Sequence, residues 1–398
     1  MMNSIKIRLG LLYFSMFSFI GIHMPFWPVW LKSKGISPSG IAVLTALAFA
    51  LKIVFTPIVS SIVDVSGKKR EAIVVLAFGL FAGCMLFFLT DSFLAIFLLT
   101  TAAFACWSPI MSLAESLTTV NAKRHGLDYG KIRLWGSIAF MIIAMSSGKL
   151  LEQFGEPVLL WSICGAACLL FVSACILPKT NFEAPKAKKA GTSVFFKHKW
   201  FVYFLLATTL IQGSHAAYYT FGTIHWRSVG LSDQMIGILW GSSMAVEIAF
   251  FAFGRPILNR LGPINVIALG GVAAALRWFA VGVTGNFWLL LAAQCLHALS
   301  FGASHFAAIR IISENVDDSL SATGQGAYSA FIMGIGMGIF VLASGPMYSQ
   351  FHQVVFYIMS GVSLAGTAFI LAMKSMELQR ISLTASSPST DLRAAPIV

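Results

Sequence analysis

Charge is scarce in this sequence. Of its 398 residues only 11% are Asp, Glu, Lys or Arg, while 58% are hydrophobic. Soluble domains carry about 25% charged and about 45–50% apolar residues, so too little polar surface exists here to cover a water-soluble globule. The sequence also lacks the spacings that carry enzyme chemistry. It has no Gly-x-Ser-x-Gly, no His-Glu-x-x-His, no P-loop and no Gly-x-Gly-x-x-Gly opening a fold, which argues against a nucleophile–base set, a zinc site and ATP hydrolysis within the chain. Its six cysteines, Cys84, Cys106, Cys164, Cys168, Cys175 and Cys295, fall inside apolar stretches. None has metal-ligand spacing with histidines and none suggests a disulfide framework. Cys164 and Cys168 share a helix face, read as small-residue packing. No metal, no cofactor and no enzyme activity are expected.

Long apolar runs are abundant. They cover about 8–31, 39–63, 72–90, 93–118, 132–151, 157–177, 200–226, 233–254, 264–284, 287–312, 324–348 and 353–373. About 20 helical residues cross a bilayer core of roughly 30 Å, and in lipid only helices or closed barrels satisfy every backbone hydrogen bond. These runs are twice the length of barrel strands and show no dyad alternation. The expected fold class is therefore an all-α membrane protein with twelve transmembrane helices. The net charge of +12 sits in short loops, which points to the membrane surface rather than to nucleic acid. Nearly all Lys and Arg lie on the side of the N-terminus, and the other side holds Lys32, Lys34, Lys149 and Arg227. The positive-inside rule then makes both termini cytoplasmic. The run after Met1–Arg8 is too long for a signal-peptide core and reads as an uncleaved first helix.

A polar basic stretch with Pro178, Pro185, Lys186, Lys188 and Lys189 follows the sixth run. It divides the chain into six-helix bundles at 1–178 and 200–374, joined by a cytoplasmic linker at 179–199. A Ser/Thr/Ala-rich tail at 375–398 is expected to be disordered. The loop Asp64-Val65-Ser66-Gly67-Lys68-Lys69-Arg70 after the second run is echoed by Asn259-Arg260-Leu261-Gly262 after the eighth. Parallel halves of this kind are one transporter architecture.

Ionisable groups at membrane depth are costly and become functional candidates. Glu247 in the eighth run and Arg277 in the ninth lie within one or two turns of the same depth, at about 1.5 Å per residue. Glu115 in the fourth run and Arg133 in the fifth stand in the corresponding place of the other half. Each pair either locks helices or frees a carboxylate that takes a proton when its cation moves away. Lys52, mid-way along the second run, has no obvious acidic partner. It snorkels, pairs with Glu115 or Glu247, or meets an anionic solute. His215 precedes Tyr218 and Tyr219, His297 and His305 lie eight apart on nearly one face, and Trp27 sits near the outer end of the first run. Together they suit a pocket for a small aromatic solute. Phe306, Ala307 and Arg310 read as structural. Gly334, Gly336 and Gly338 permit close packing or bending.

The six-plus-six layout and Asp64-x-x-Gly67-Lys68-Lys69 resemble the major facilitator superfamily, whose loop signature is Gly-x-x-x-Asp-Arg-x-Gly-Arg/Lys-Arg/Lys. Ser60 and Val65 replace its first Gly and its Arg. The resemblance implies two six-helix bundles and a gating role for Asp64, Gly67 and Lys68. Four further segments, Pro25-Phe26-Trp27-Pro28-Val29-Trp30-Leu31-Lys32, Leu127–Ser137, Gln212–Tyr219 and His305–Arg310, resemble the phenylpropionate permeases. That narrower likeness implies proton-driven uptake of an aromatic monocarboxylate such as 3-phenylpropionate across a bacterial inner membrane. Lys52, His215, Tyr218, Tyr219, His297, His305 and Trp27 would then line the pocket, with Glu247, Arg277, Glu115 and Arg133 coupling the proton. The partners implied are an organic anion, protons and the bilayer, and a single chain suffices. A nucleoside or sugar symporter stays open. So does a drug/proton antiporter, although the fifth run lacks that group's Gly-Pro and the late Gly345-Pro346 lies in the eleventh. A receptor that binds without transport also stays open.

Overall fold

The computed structural model describes residues 2–178, 199–254, 256, 260–316 and 318–385. Among the described residues every element is helical: α1 Met2–Ser33, α2 Pro38–Ser66, α3 Lys69–Leu86, α4 Phe93–His125, α5 Tyr129–Phe154, α6 Pro157–Cys175, α7 Lys199–Gly213, α8 Ala216–Ser228, α9 Asp233–Phe253, α10 Pro263–Val283, α11 Phe287–Cys295, α12 Ser304–Asn315, α13 Asp318–Ala330, α14 Met337–Phe351 and α15 Val354–Ala385. One short 3₁₀ turn, Phe87–Leu89, follows α3. Two π-helical stretches, Ala298–Ala303 and Phe331–Gly336, lie within the tenth and eleventh apolar runs.

Local chemistry sets many of the helix ends. Ser37 caps α2 by accepting from the Gly40 N–H, with Pro38 at the first turn. Gly67 ends α2 at φ 69°, a left-handed position that glycine adopts without a Cβ clash. Asp128 caps α5 through the Lys131 N–H, and Asn286 caps α11 through Trp288 and Leu289.

Among the described residues eleven spans are long and apolar enough to cross a membrane. The seventh expected run is interrupted, because α7 and α8 hold 15 and 13 residues on either side of Ser214-His215. Here side chains compete for the backbone. The Ser214 hydroxyl donates to the Ile211 carbonyl at 2.7 Å, and the His215 N–H bonds Gln212 only three residues back.

The described residues fall into two compact units. The first contains α1–α6 together with Tyr218–Ile248 and Val341–His352. The second contains the segment ending at Ala217, Ala249–Phe340, and the chain from Gln353. Compactness therefore does not follow the expected divisions at 1–178 and 200–374. In the first unit α1 packs on α5 and α6, α3 on α4 and α6, and α2 on α4. The α5–α9 crossing is tight: a Cβ on Gly237 would stand 2.7 Å from the Ala144 carbonyl, and one on Gly148 would strike the Asp233 carbonyl. Beside this crossing Arg227 donates to Glu156 at 2.9 Å and to both oxygens of Asp233 at 2.7 and 2.8 Å. Glu156 is held below the usual carboxylate range, first by its own backbone N–H and then by Arg227. In the second unit α10 packs on α15, on the first π stretch and on α12, and α15 packs on α7.

The linker expected at 179–199 lies outside the described residues, apart from Lys199 at the start of α7. The loop residue Asn259 also lies outside them. The expected disordered tail is corrected in part, since α15 continues to Ala385; residues 386–398 lie outside the described set.

Candidate functional site

The first unit holds a partly open cavity of about 300 Å³, and three helices supply most of its wall. From α1 come Phe19, His23 and Trp27, spaced four apart and so on one helix face. From α2 come Thr45, Ala48, Phe49 and Lys52, and from α4 come Thr100, Phe104, Trp107, Ser108 and Met111. Tyr219 of α8 completes the lining. The rings pack on one another as well as on the space. His23 lies against Phe19 at 5.6 Å, Phe104 at 4.9 Å and Trp27 at 5.7 Å between centroids, and Phe19 lies 4.8 Å from Trp107.

Lys52 is the cationic group of this lining, and its side chain is accessible. Glu115 on α4 acts on it electrostatically. The expected Glu115–Arg133 pair does not form. Instead the Arg133 guanidinium stands over the Phe17 ring, 5.4 Å from its centroid, as a cation–π contact. Lys52 thus has the Glu115 carboxylate in its field, one of the alternatives that the sequence left open.

The second unit holds a different polar cluster. Arg277 has none of its surface exposed. Its guanidinium donates to His297 Nδ1 at 3.1 Å, to the Ser300 hydroxyl at 2.8 Å and to Gln294 Oε1 at 2.8 Å, and lies 4.6 Å from the Trp278 ring centroid. Arginine only donates, so His297 presents a lone pair at Nδ1 and carries its proton on Nε2. His215 faces the carbonyls of Ile211 and Gln212 with Nδ1, at 3.3 and 3.2 Å, so there Nδ1 carries the proton and Nε2 is the basic nitrogen. His215 meets Trp278 edge-on at 4.8 Å and His297 at 6.4 Å. The Trp278 indole N–H donates to Ser214, tying the α7–α8 interruption to α10.

The expected pocket is therefore distributed. Lys52, Trp27 and Tyr219 meet at the cavity. Tyr218 is a packing residue, 1% exposed and stacked on Trp240 at 4.4 Å. His215 and His297 belong with Arg277. His305 stands apart, with its Nδ1 3.4 Å from the Tyr328 hydroxyl. Glu247 lies on α9 in the first unit and Arg277 on α10 in the second. Where α2 meets α3, Asp64 at the end of α2 approaches Lys69 at 3.3 Å, Lys69 at the start of α3 donates to Ser116 of α4 at 2.6 Å, and Arg70 donates to the Cys175 carbonyl at 2.7 Å. Lys69, not Lys68, is the buried lysine there. Sequence reasoning missed Phe19, Thr100, Phe104, Trp107, Gln294 and Ser300. Two signals were available: the three- and four-residue spacing of rings and small polar groups along α1 and α4, and Gln294-x-x-His297-x-x-Ser300, a polar stripe in an apolar run.

Long apolar helices with buried cations and a ring-lined chamber define a multi-pass membrane transporter. The chain belongs to the family described as MFS_1 like, which it matches over residues 6–359, and so to the major facilitator transporters. It is similar to a protein of Escherichia coli strain K12 described as a probable 3-phenylpropionic acid transporter, with 28% identity over 89% of this chain and 94% of that one. It is also similar to a maltose permease of Geobacillus stearothermophilus, with 23% identity over 92% and 94%. A xanthosine permease of E. coli is 26% identical over 64% and 68%. Among solved structures, the nucleoside transporter NupG superposes with a TM-score of 0.83 at 17% identity, covering 93% of this chain and 98% of that one. That likeness is one of fold. All of these relatives are transporters, and the protein is a transporter rather than an enzyme.

Proposed function

We propose that the protein carries a small aromatic monocarboxylate, together with a proton, into a bacterium across its inner membrane, with both chain ends in the cytoplasm. The observation that carries this reading is the cavity, in which one lysine faces a chamber walled by Phe19, Trp27, Phe49, Phe104, Trp107 and Tyr219. Its volume of about 300 Å³ stands at the lower end of small-molecule sites, about 300–1,000 Å³. An aromatic ring stacks on such walls, and a carboxylate neutralises the ammonium. The relative described as a 3-phenylpropionic acid transporter supports the same class.

Glu247 with Arg277 is the first proposed coupling pair. For the second, Glu115 acts with Lys52 rather than with Arg133. A solute carboxylate on Lys52 takes the place of Glu115 as that ammonium's acidic neighbour, which links anion binding to the proposed coupling carboxylate. Anion and proton then load together, which is symport.

The test is uptake of labelled 3-phenylpropionate into proteoliposomes, with and without an imposed inward proton gradient. Accumulation is expected only with the gradient, and Lys52→Met is expected to abolish it. A Glu247→Gln variant that still accumulates the acid would remove Glu247 from coupling. Symport of a sugar or nucleoside is the second reading, favoured by the relatives named for maltose and xanthosine. Those solutes bring no carboxylate to Lys52, so their uptake would survive Lys52→Met.

A further inference from the structure

We infer that the cavity recognises a second polar group on its solute, a ring hydroxyl, so that the acid it takes best is a hydroxyaryl carboxylate. This rests on the reading of the cavity as a site for an aromatic acid. Two of its polar atoms have no hydrogen-bond partner among the described residues: His23 Nε2 and Thr100 Oγ1. Both atoms are buried, and Thr100 as a residue is only 2% exposed. The neighbouring hydroxyls differ. Thr45 donates to the Ile41 carbonyl and Ser108 to the Phe104 carbonyl, so each is already satisfied within its own helix. Thr100 could make the same bond and does not. Buried polar atoms are nearly always paired, and leaving one unpaired costs free energy that a ligand hydrogen bond recovers.

The placement supports a two-ended solute. Lys52 enters from α2 and is accessible, whereas His23 from α1 and Thr100 from α4 hold their polar atoms in the buried part of the wall. The Thr56 hydroxyl bonds the Ser108 carbonyl at 3.2 Å, which fixes the register of α2 against α4. Four residues earlier on each helix, Lys52 is level with Phe104, and Thr100 stands one further turn along. By that register Trp107 lies beyond Phe104 on the side away from Thr100, and His23 packs on Phe104 at 4.9 Å, so a carboxylate on Lys52 leaves the ring along Phe104, with His23 at its flank and Thr100 toward its far end. A neutral imidazole nitrogen and a threonine hydroxyl together offer a donor and an acceptor, the complement of a phenol hydroxyl. An unsubstituted phenyl ring would leave both unanswered.

The experiment measures uptake of labelled 3-phenylpropionate and of labelled 3-(4-hydroxyphenyl)propionate by proteoliposomes under an inward proton gradient, each acid also competing against the other. The hydroxylated acid is expected to bind about five- to tenfold more tightly, the value of one or two hydrogen bonds. The ratio of the two affinities is expected to fall to near one in Thr100→Val and in His23→Phe, and to survive in Thr100→Ser, which keeps the hydroxyl. Equal affinities in the native protein would overturn the inference and leave the aromatic-acid reading standing. So would variants that weaken both acids by the same factor, because His23 and Thr100 would then serve the carboxylate. Uptake of neither acid by folded protein would remove the aromatic-acid reading and this inference with it.

Discussion

A guanidinium with no exposed surface must find protein acceptors for its N–H groups. Arg277 finds them on Gln294, His297 and Ser300, which lie three residues apart. Its planar fork reaches all three, and a lysine could not do so from one position. Arg277→Lys is therefore expected to lower stability by about 1–3 kcal/mol, and Arg277→Met by more, since each abandoned buried acceptor costs about 1–3 kcal/mol. Thermal unfolding of the detergent-solubilised protein measures this, and an unchanged midpoint in Arg277→Met would contradict the assignment. Glu156 makes a second prediction, about pH. Its folded pKa is depressed, so its stabilising contribution is complete above the ordinary Glu value of about 4.3 and is lost as pH falls through the depressed value. The midpoint gap between the native protein and Glu156→Gln should be full at neutral pH and close in acid. A gap independent of pH would mean that Arg227 gains nothing from the Glu156 charge.

Helix positions were legible because the apolar runs are long and their boundaries carry Pro, Gly, Ser, Asp or Asn. Pro38, Gly67, Asp128 and Asn286 stand within a few residues of the expected ends. The interruption at Ser214-His215 was not legible, because it depends on side chains bonding carbonyls one turn back and on the Trp278 indole arriving from α10. The π-helical stretches left no mark in the apolar pattern either. The close crossing of α5 and α9 at Gly148 and Gly237 is a contact of elements far apart in sequence, and an isolated Gly announces nothing about what it faces. Alanine at either glycine is expected to cost about 1–3 kcal/mol by overpacking. Alanine at Gly165 of α6, where a Cβ would meet open space, should cost nothing and gain some helix propensity. If all three variants unfolded alike, the crossing would not be as close as described.

Across the whole molecule, composition and run length were enough for an all-helical membrane protein, since no soluble arrangement could hide so much apolar surface. The site was legible only in parts. Lys52, Trp27 and Tyr219, grouped from the sequence, line one cavity, and a lysine at membrane depth is what drew attention to them. His215 and His297 were grouped with them on residue type alone, and the fold sends them to Arg277 instead. Glu115 was matched to Arg133 by depth, but depth does not fix which way a side chain turns round its helix. The proposed orientation, with both termini cytoplasmic, rests on the basic loops. A green fluorescent protein fused after Val398 should therefore fluoresce, and a periplasmic phosphatase inserted in the loop at Lys34–Ser37 should be active; the reverse pattern would invert the topology.

Lys52 also gives the chamber a chemical handle. Its amine stands among aromatic rings, within reach of whatever those rings hold. An arylaldehyde shaped like the solute could condense with Nζ, releasing water, and borohydride would then reduce the imine to a stable secondary amine. The added mass would locate the bound ring on one peptide, and a genuine cargo would protect that peptide from labelling. The chamber can thus be asked directly, by mass spectrometry, which acids enter it.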